Sequence, residues 1–177
     1  MIFRKLVMND CERMGDINPS QFIGKAWREE AGKRILVDIN FQDNDWPNGY
    51  EHHYNNLKNT LLNGGVALGV FDRTNKLLGF ATVNRKFFGT KYKYVLLDQL
   101  FITLEYRNKG LGKQLFMLCV NEAKEWKADK IYICAGSAEE TIGFYKKIGC
   151  SETEELQQNL HELDPRDLHF EYNLFKD

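Results

Sequence analysis

The chain has 177 residues, 43% of them hydrophobic and 28% charged, with a formal net charge of −1. That length and balance suit one compact domain spanning residues 1–177 and exclude a disordered chain. Near-neutral charge gives no bulk attraction to nucleic acid or to an anionic membrane, so neither is an expected partner and any anion site must be local. The four cysteines, Cys11, Cys119, Cys134 and Cys150, include no C-x-x-C pair. They are expected as reduced, mostly buried packing residues of a cytoplasmic protein. The opening residues lack a signal-peptide pattern, and no apolar run reaches the length of a membrane span.

Residues 2–8 read as a short strand, and Asn9-Asp10-Cys11-Glu12 as a helix start. Phe22, Ile23, Ala26 and Trp27 share a face at helical spacing, which predicts a helix over 20–34. Asn40 to Gly49 has loop composition, with Asp43, Asn44, Asp45, Pro47 and Asn48. A second helix is predicted over 50–63, ending at Gly64-Gly65. Residues 66–71 and 77–83 read as a hairpin around a turn at 72–76. A long apolar strand over 92–103 is interrupted by Asp98 and Gln99. A turn over 104–109 leads into a helix from Leu111 to Lys127, with Leu111, Leu115, Cys119 and Ala123 as its core face and Leu118 and Trp126 beside it. Residues 130–135 read as a strand. Ser137 and Glu140 match the S-x-x-E capping box, predicting a helix that Gly149 ends. Phe170, Tyr172 and Leu174 alternate with polar residues in a half-exposed last strand. The order is strand, helices, three strands, helix, strand, helix, strand: an α/β fold with a mixed sheet and helices packed on it.

The turn Arg107-Asn108-Lys109-Gly110-Leu111-Gly112 joins a strand to a helix. A helix N-terminus presents unpaired N–H groups and a partial positive charge, which makes an anion site. Gly110 and Gly112 remove Cβ atoms, so backbone can approach phosphate oxygens, and Arg107, Lys109 and Lys113 add cationic donors. The P-loop pattern fails, because Arg107 stands where its first glycine belongs and Gln114 where its Ser or Thr belongs. The dinucleotide fingerprint fails at Leu115, where a third glycine is required. A basic turn with glycines for tight packing is the plainer alternative.

The stretch from Tyr94 to Gly112 resembles the central motif of the GNAT acetyltransferase superfamily, an apolar strand running into [Arg/Gln]-x-x-Gly-x-[Gly/Ala] and a helix. The segment Phe144-Tyr145-Lys146-Lys147-Ile148-Gly149-Cys150 resembles its second motif, with Cys150 replacing the last aromatic residue. Two spaced motifs in order are more specific than either alone, and the element order matches over nearly the whole chain. The resemblance implies a GNAT-like acyl-CoA N-acyltransferase fold, a central twisted mixed sheet flanked by helices, with acetyl-CoA as co-substrate. It places the pyrophosphate on residues 107–113 (Arg107, Asn108, Lys109, Gly110, Leu111, Gly112, Lys113). It places the pantetheine arm between splayed strands, on the backbone of Phe101, Ile102 and Thr103. Where many members carry Asn at the start of the second helix this chain has Ala138, which leaves Ser137 to supply the contact.

The resemblance also assigns Tyr145 as the acid that reprotonates the leaving thiolate, since a phenol of pKa ~10 stays protonated at neutral pH. The plainer reading is an aromatic residue packing its helix onto the sheet. An amine must lose its proton to attack. Asp98, a carboxylate in an apolar strand, is either the base or water-positioning group, or holds a structural hydrogen bond near a bulge. Alternation puts Asp98 and Gln99 on opposite faces unless a bulge swaps the phase. Trp46 and Tyr50, in a region over 38–54 that mixes acids and aromatics and suits a cationic amine, and Gln99 beside Asp98 are the candidate acceptor-binding residues; for the 38–54 region, aromatics anchoring a loop to the core are the alternative. His52-His53 lacks metal-ligand spacing and no metal is expected. The expected activity is transfer of an acetyl group to a primary amine, on a small molecule, by direct attack in a ternary complex. Acetylation of protein N-termini or lysines, and a CoA-binding sensor without catalysis, are the alternatives. The chain is expected as a monomer or homodimer.

Overall fold

Seven strands form one sheet and two more a separate ribbon in the computed structural model, which describes residues 1–175. In chain order the elements are β1 (Ile2–Lys5), a 3₁₀ helix (Met8–Asp16), β2 (Gln21–Glu30), β3 (Lys33–Asp43), α1 (Tyr50–Leu62), β4 (Val66–Phe71), β5 (Leu77–Phe88) and β6 (Tyr94–Ile102). A 3₁₀ turn (Leu104–Tyr106) is followed by α2 (Leu111–Glu125), β7 (Lys130–Ala135), α3 (Glu139–Lys147), β8 (Ser151–Glu152), α4 (Gln158–His161) and β9 (Leu168–Asn173). The sheet order is β1-β4-β5-β6-β7-β9-β8. Strands β6 and β7 run parallel and the other neighbours antiparallel, so the sheet is mixed, as the element order predicts.

Strand alternation divides the core in two. On one face α2 packs Leu111, Leu115, Phe116 and Cys119 onto Leu68, Val83, Val95, Leu97, Ile131 and Ile133. On the other, α1, the loop before it and the first 3₁₀ helix pack Leu57, Trp46 and Met14 onto Ala67, Phe71, Leu77 and Phe80. No described helix is long and apolar enough to cross a membrane.

The helix expected over 20–34 is instead strand β2, half of a hairpin with β3, and β3 extends through Asp43 into the expected loop. Ala31 and Gly32 have φ of +48° and +73°, so they form the two-residue loop whose twist matches paired strands. Ile35, Val37 and Ile39 add β-branched residues that favour the pleat. The apolar spacing fits a helix, but the turn and the partner strand decide otherwise. The hairpin docks on the main structure where Trp27 N–H donates to Ser137 O at 2.8 Å and Ala26 bridges Ala138.

The last strand is not half-exposed. His169 and Glu171 are 8% and 4% exposed, because α4, β8 and the segment between them cover their face. Glu171 accepts from Lys130 Nζ at 2.5 Å and from Tyr94 OH at 2.6 Å, at the N-terminal ends of β6 and β7. Burial pushes the Glu171 pKa up, but the bonds from Lys130 and Tyr94 outweigh it and hold it below the usual carboxylate value. The pair therefore contributes at neutral pH, and its contribution fades only as pH falls through that depressed value. Lys130→Met strands a buried carboxylate and is expected to cost about 3–5 kcal/mol, read as a fall in the urea midpoint.

Candidate active site

Strands β6 and β7 pair from Tyr94 with Lys130 to Leu97 with Ile133, and there the pairing stops. Strand β7 continues to Ala135 against β9, while β6 continues to Ile102 against β5. A gap therefore opens between the C-terminal halves of two parallel neighbours, the end of such strands where ligands bind. Thr103 N–H donates to Leu78 O at 2.8 Å. Hydrogen bonding alternates along an antiparallel pair, so Phe101 and Gln99 also turn their backbone groups toward β5. Leu100 and Ile102 turn theirs into the gap, where Ile102 O already accepts from Arg107 Nε at 2.9 Å. Of the expected Phe101, Ile102 and Thr103, only Ile102 therefore turns a free backbone N–H into the gap, and Leu100, which alternation plus the β5 register would have revealed, turns its backbone groups there beside it. The Thr103 hydroxyl is committed as well, accepting from Asn18 N–H and donating to Glu105.

The glycine turn sits at the end of this gap. Asn108 and Gly110 take φ of +59° and +81°, and Gly110 is the N-cap of α2. The first intrahelical bond runs from Gln114 N–H to Gly110 O, and no side chain caps the helix. The N–H groups of Leu111, Gly112 and Lys113 therefore point out of the first turn without helical partners. Gly112 lies where α2, α3 and the end of β6 meet, and a Cβ there would touch Phe144 at 3.4 Å and Ile102 at 3.7 Å, in ordinary contact. Arg107 does not serve as a free cation. Its guanidinium donates to the carbonyls of Ile102, Pro19 and Ser20, stapling residues 19–20 to the end of β6. Lys109 Nζ donates to Glu105 O at 2.9 Å and lies over the Tyr106 ring, exposed, and Lys113 is exposed beside it.

Ser137 does not form the expected capping box. Its Oγ accepts from Arg28 Nη1 at 2.8 Å, and Ala138 is the N-cap of α3, without a side-chain cap bond. Ser137 is therefore the anchor of the β2–β3 ribbon. A cavity of about 250 Å³ lies between β2 and the start of α3, lined by Phe22, Ile23, Lys25, Ala138, Glu140 and Thr141.

Tyr145 is 8% exposed and lies among Cys150, Cys119 and Cys134, with Asp167 in charge range. Burial pushes its phenol well above the usual value, so it stays protonated, and its hydroxyl has no hydrogen bond among the described residues. Asp98 is the extra residue of a bulge, since Val83 pairs with Leu97 and Thr82 with Gln99. The bulge swaps the alternation, so Leu97 faces α2 while Asp98 and Gln99 both face α1. There Asp98 lines a cavity of about 360 Å³ with Asn56, Asn59, Asn63, Asn84 and Lys86. Burial raises the Asp98 pKa, opposed weakly by His52, and its carboxylate has no hydrogen bond or ion pair among the described residues. The gap is thus flanked by a carboxylate on the α1 face and a phenol on the α3 face, with Cys134 in charge range of both.

Trp46 is 6% exposed and packed against Tyr50, His53, Phe80 and Phe101, so it anchors its loop and offers no free face to a cation. Tyr50 is half-buried and stacked on Tyr54. Gln99 is 4% exposed and bonded to His53, sealed from any acceptor. The residues that do line this side are polar ones that sequence reading passed over. His52, Asn56 and Asn59 form one stripe of α1 that its C-cap Asn63 continues; across the gap Asp167, just before β9 and in charge range of Tyr145, is pushed up to about 6 by burial and Asp164. The α1 stripe carries helical spacing without hydrophobicity, which hides it from an apolar search. Among the described residues no group of three or more His, Cys, Asp and Glu could hold a metal ion.

A mixed sheet with a splayed parallel pair, and an uncapped helix behind a glycine turn, form the arrangement that the GNAT resemblance implies for an acyl-CoA-dependent transferase. The model of the acetyltransferase (GNAT) family matches residues 33–150, and the chain belongs to that family. No curated protein matches in a sequence search. A nourseothricin acetyltransferase superposes with a TM-score of 0.75 at 15% identity, covering 98% of each chain. A protein described as a streptothricin acetyltransferase from Bacillus anthracis str. Ames, in complex with acetyl coenzyme A, gives 0.73 at 16% identity, covering 99% of this chain and 98% of its own. An aminoglycoside 6'-N-acetyltransferase complexed with coenzyme A gives 0.64 at 12% identity, covering 100% and 99%.

Proposed function

We propose that the chain moves an acetyl group from acetyl-CoA to a primary amine of a small molecule, by direct attack in a ternary complex. The observation that carries this is the pair of unpartnered groups beside one gap, Asp98 on the α1 face and Tyr145 on the α3 face. The pyrophosphate of acetyl-CoA takes the N–H groups of Leu111, Gly112 and Lys113, with Lys109 and Lys113 as nearby cations. The pantetheine arm lies along the gap on the backbone groups of Leu100 and the N–H of Ile102. A backbone N–H in this row stabilises the oxyanion formed as the amine adds to the thioester carbonyl. Asp98, entering from the polar α1 side, takes the proton of the acceptor ammonium directly or through water. Tyr145 gives its proton to the departing thiolate. Both substrates held in one cleft supply the positioning term.

The cavity beside Asp98, lined by asparagines, supports a small polar acceptor. The names of the similar antibiotic acetyltransferases point the same way. The four cysteines are free, which supports a reducing, cytoplasmic setting. Native mass spectrometry with acetyl-CoA, followed by an acceptor screen reading thiol release, tests the proposal. Binding without turnover over small amines and peptides alike would replace it with a CoA sensor, and turnover of peptides alone with a protein acetyltransferase. Gly110→Val forces a β-branched residue into φ +81° at the cap. It is expected to weaken acetyl-CoA binding about tenfold, the equivalent of about 1.4 kcal/mol of strain, measured by calorimetry.

A further inference from the structure

His53 and Gln99 are 8% and 4% exposed. The His53 ring places Nδ1 2.9 Å from Gln99 Oε1 and Nε2 2.5 Å from Pro47 O. Two acceptor oxygens require two ring N–H groups, and so an imidazolium. The surroundings oppose that charge. Burial lowers the His53 pKa beyond what its two hydrogen bonds restore, His52 adds like charge with its ring at 5.0 Å, and Trp46 and Phe101 pack around the rest. At the same time the Gln99 amide nitrogen is sealed from solvent and has no partner. An unpaired buried N–H is rare because it loses water without compensation.

One exchange of the amide oxygen and nitrogen, which are nearly alike in shape, removes both conflicts. Gln99 Nε2–H then donates to His53 Nδ1, and a neutral ring donates through Nε2–H to Pro47 O.

This chain of bonds reaches the bulge. A strand slipped by one residue sends every side chain to the opposite face. Gln99 faces α1 only because Asp98 is the extra residue, so a bond holding Gln99 on α1 also fixes where the bulge sits. We propose that Gln99 and His53 are positioning residues, joined as amide N–H to imidazole and imidazole N–H to the Pro47 carbonyl. They hold the β6 bulge so that Asp98 projects into the α1 cavity. The consequence for catalysis rests on Asp98 being the base; the geometry does not.

The test is NMR on the full chain, with no acceptor required. Two-bond proton–nitrogen correlation at neutral pH is expected to show His53 protonated on Nε2 and bare on Nδ1. Gln99→Glu, which puts an oxygen acceptor at Nδ1, is expected to move the proton count of the ring to two. In Gln99→Met, checked for fold by acetyl-CoA binding, the raised Asp98 titration midpoint is expected to fall by about one unit as the carboxylate leaves its buried seat; His53→Leu, which removes the same bond from the other side, serves the same measurement if the Met variant does not fold. A proton on Nδ1 in the unsubstituted chain, or an Asp98 midpoint unchanged in folded Gln99→Met or His53→Leu, overturns the proposal. Loss of the base role for Asp98 would show separately, as full activity in Asp98→Asn with the tautomer unaltered.

Discussion

Asp98→Asn is expected to lower kcat by roughly 10²–10⁴, the usual contribution of a positioned general base. Acetyl-CoA affinity should hold, because Asp98 faces the α1 cavity and the pyrophosphate turn lies at the far end of the gap. The pH dependence gives the sharper reading. The base must be ionised to accept a proton, and burial raises its pKa. The rate should therefore climb with pH through a midpoint above the ordinary carboxylate range, and Asp98→Asn should erase that limb along with most of the rate. The sign for stability is opposite to that of a paired acid. A carboxylate whose pKa is raised on folding costs stability once ionised, so Asp98→Asn should leave the protein as stable or more so at neutral pH. A variant that keeps its acidic limb would point to another base, with Asp167 the first to examine.

Tyr145→Phe is expected to reduce kcat by roughly 10²-fold or more, at the lower end of general-acid effects because water can deliver a proton slowly. The fold should tolerate the change, since the hydroxyl has no hydrogen bond to lose among the described residues and the ring fills the same space. Thermal midpoint and acetyl-CoA affinity near those of the unsubstituted chain, with a slow chemical step, would mark Tyr145 as the acid. Full activity would make it a packing residue, as its neighbour Phe144 is against Gly112. Burial keeps the phenol protonated across the neutral range, so Tyr145 should add no limb to the pH profile below strongly alkaline values.

These expectations draw on two kinds of information. From β4 at residue 66 to the end of α3 the strands and main helices followed from local patterns, while β8 and α4 did not. Helix α2 begins where a left-handed glycine starts it and buries the face spaced at Leu111, Leu115, Cys119 and Ala123. Strand β7 spans the 130–135 predicted for it, and Gly149 takes φ of +100° just past the end of α3. Glycine turns and 3.6-residue spacing act over a few residues, so a single sequence displays them. The same is true of the uncapped start of α2, which is a property of backbone geometry rather than of any partner.

What the tertiary structure decided are matters of partner and phase. Residues 21–43 became a ribbon because each half supplies the other's hydrogen bonds, overriding an apolar spacing that fits a helix. Arg107 and Ser137 turned from ligand candidates into anchors because distant segments, residues 19–20 and Arg28, bring them complementary polar groups. A one-residue bulge carried Gln99 across to the face of Asp98 and left Leu100 with Ile102 to line the gap. The residues of the turn and the two motif helices were legible in the chain itself, because near neighbours create them. The face on which the carboxylate stands, and the backbone groups left free beside it, depend on how β5 pairs with β6, and pairing is a relation between segments that a local pattern does not contain.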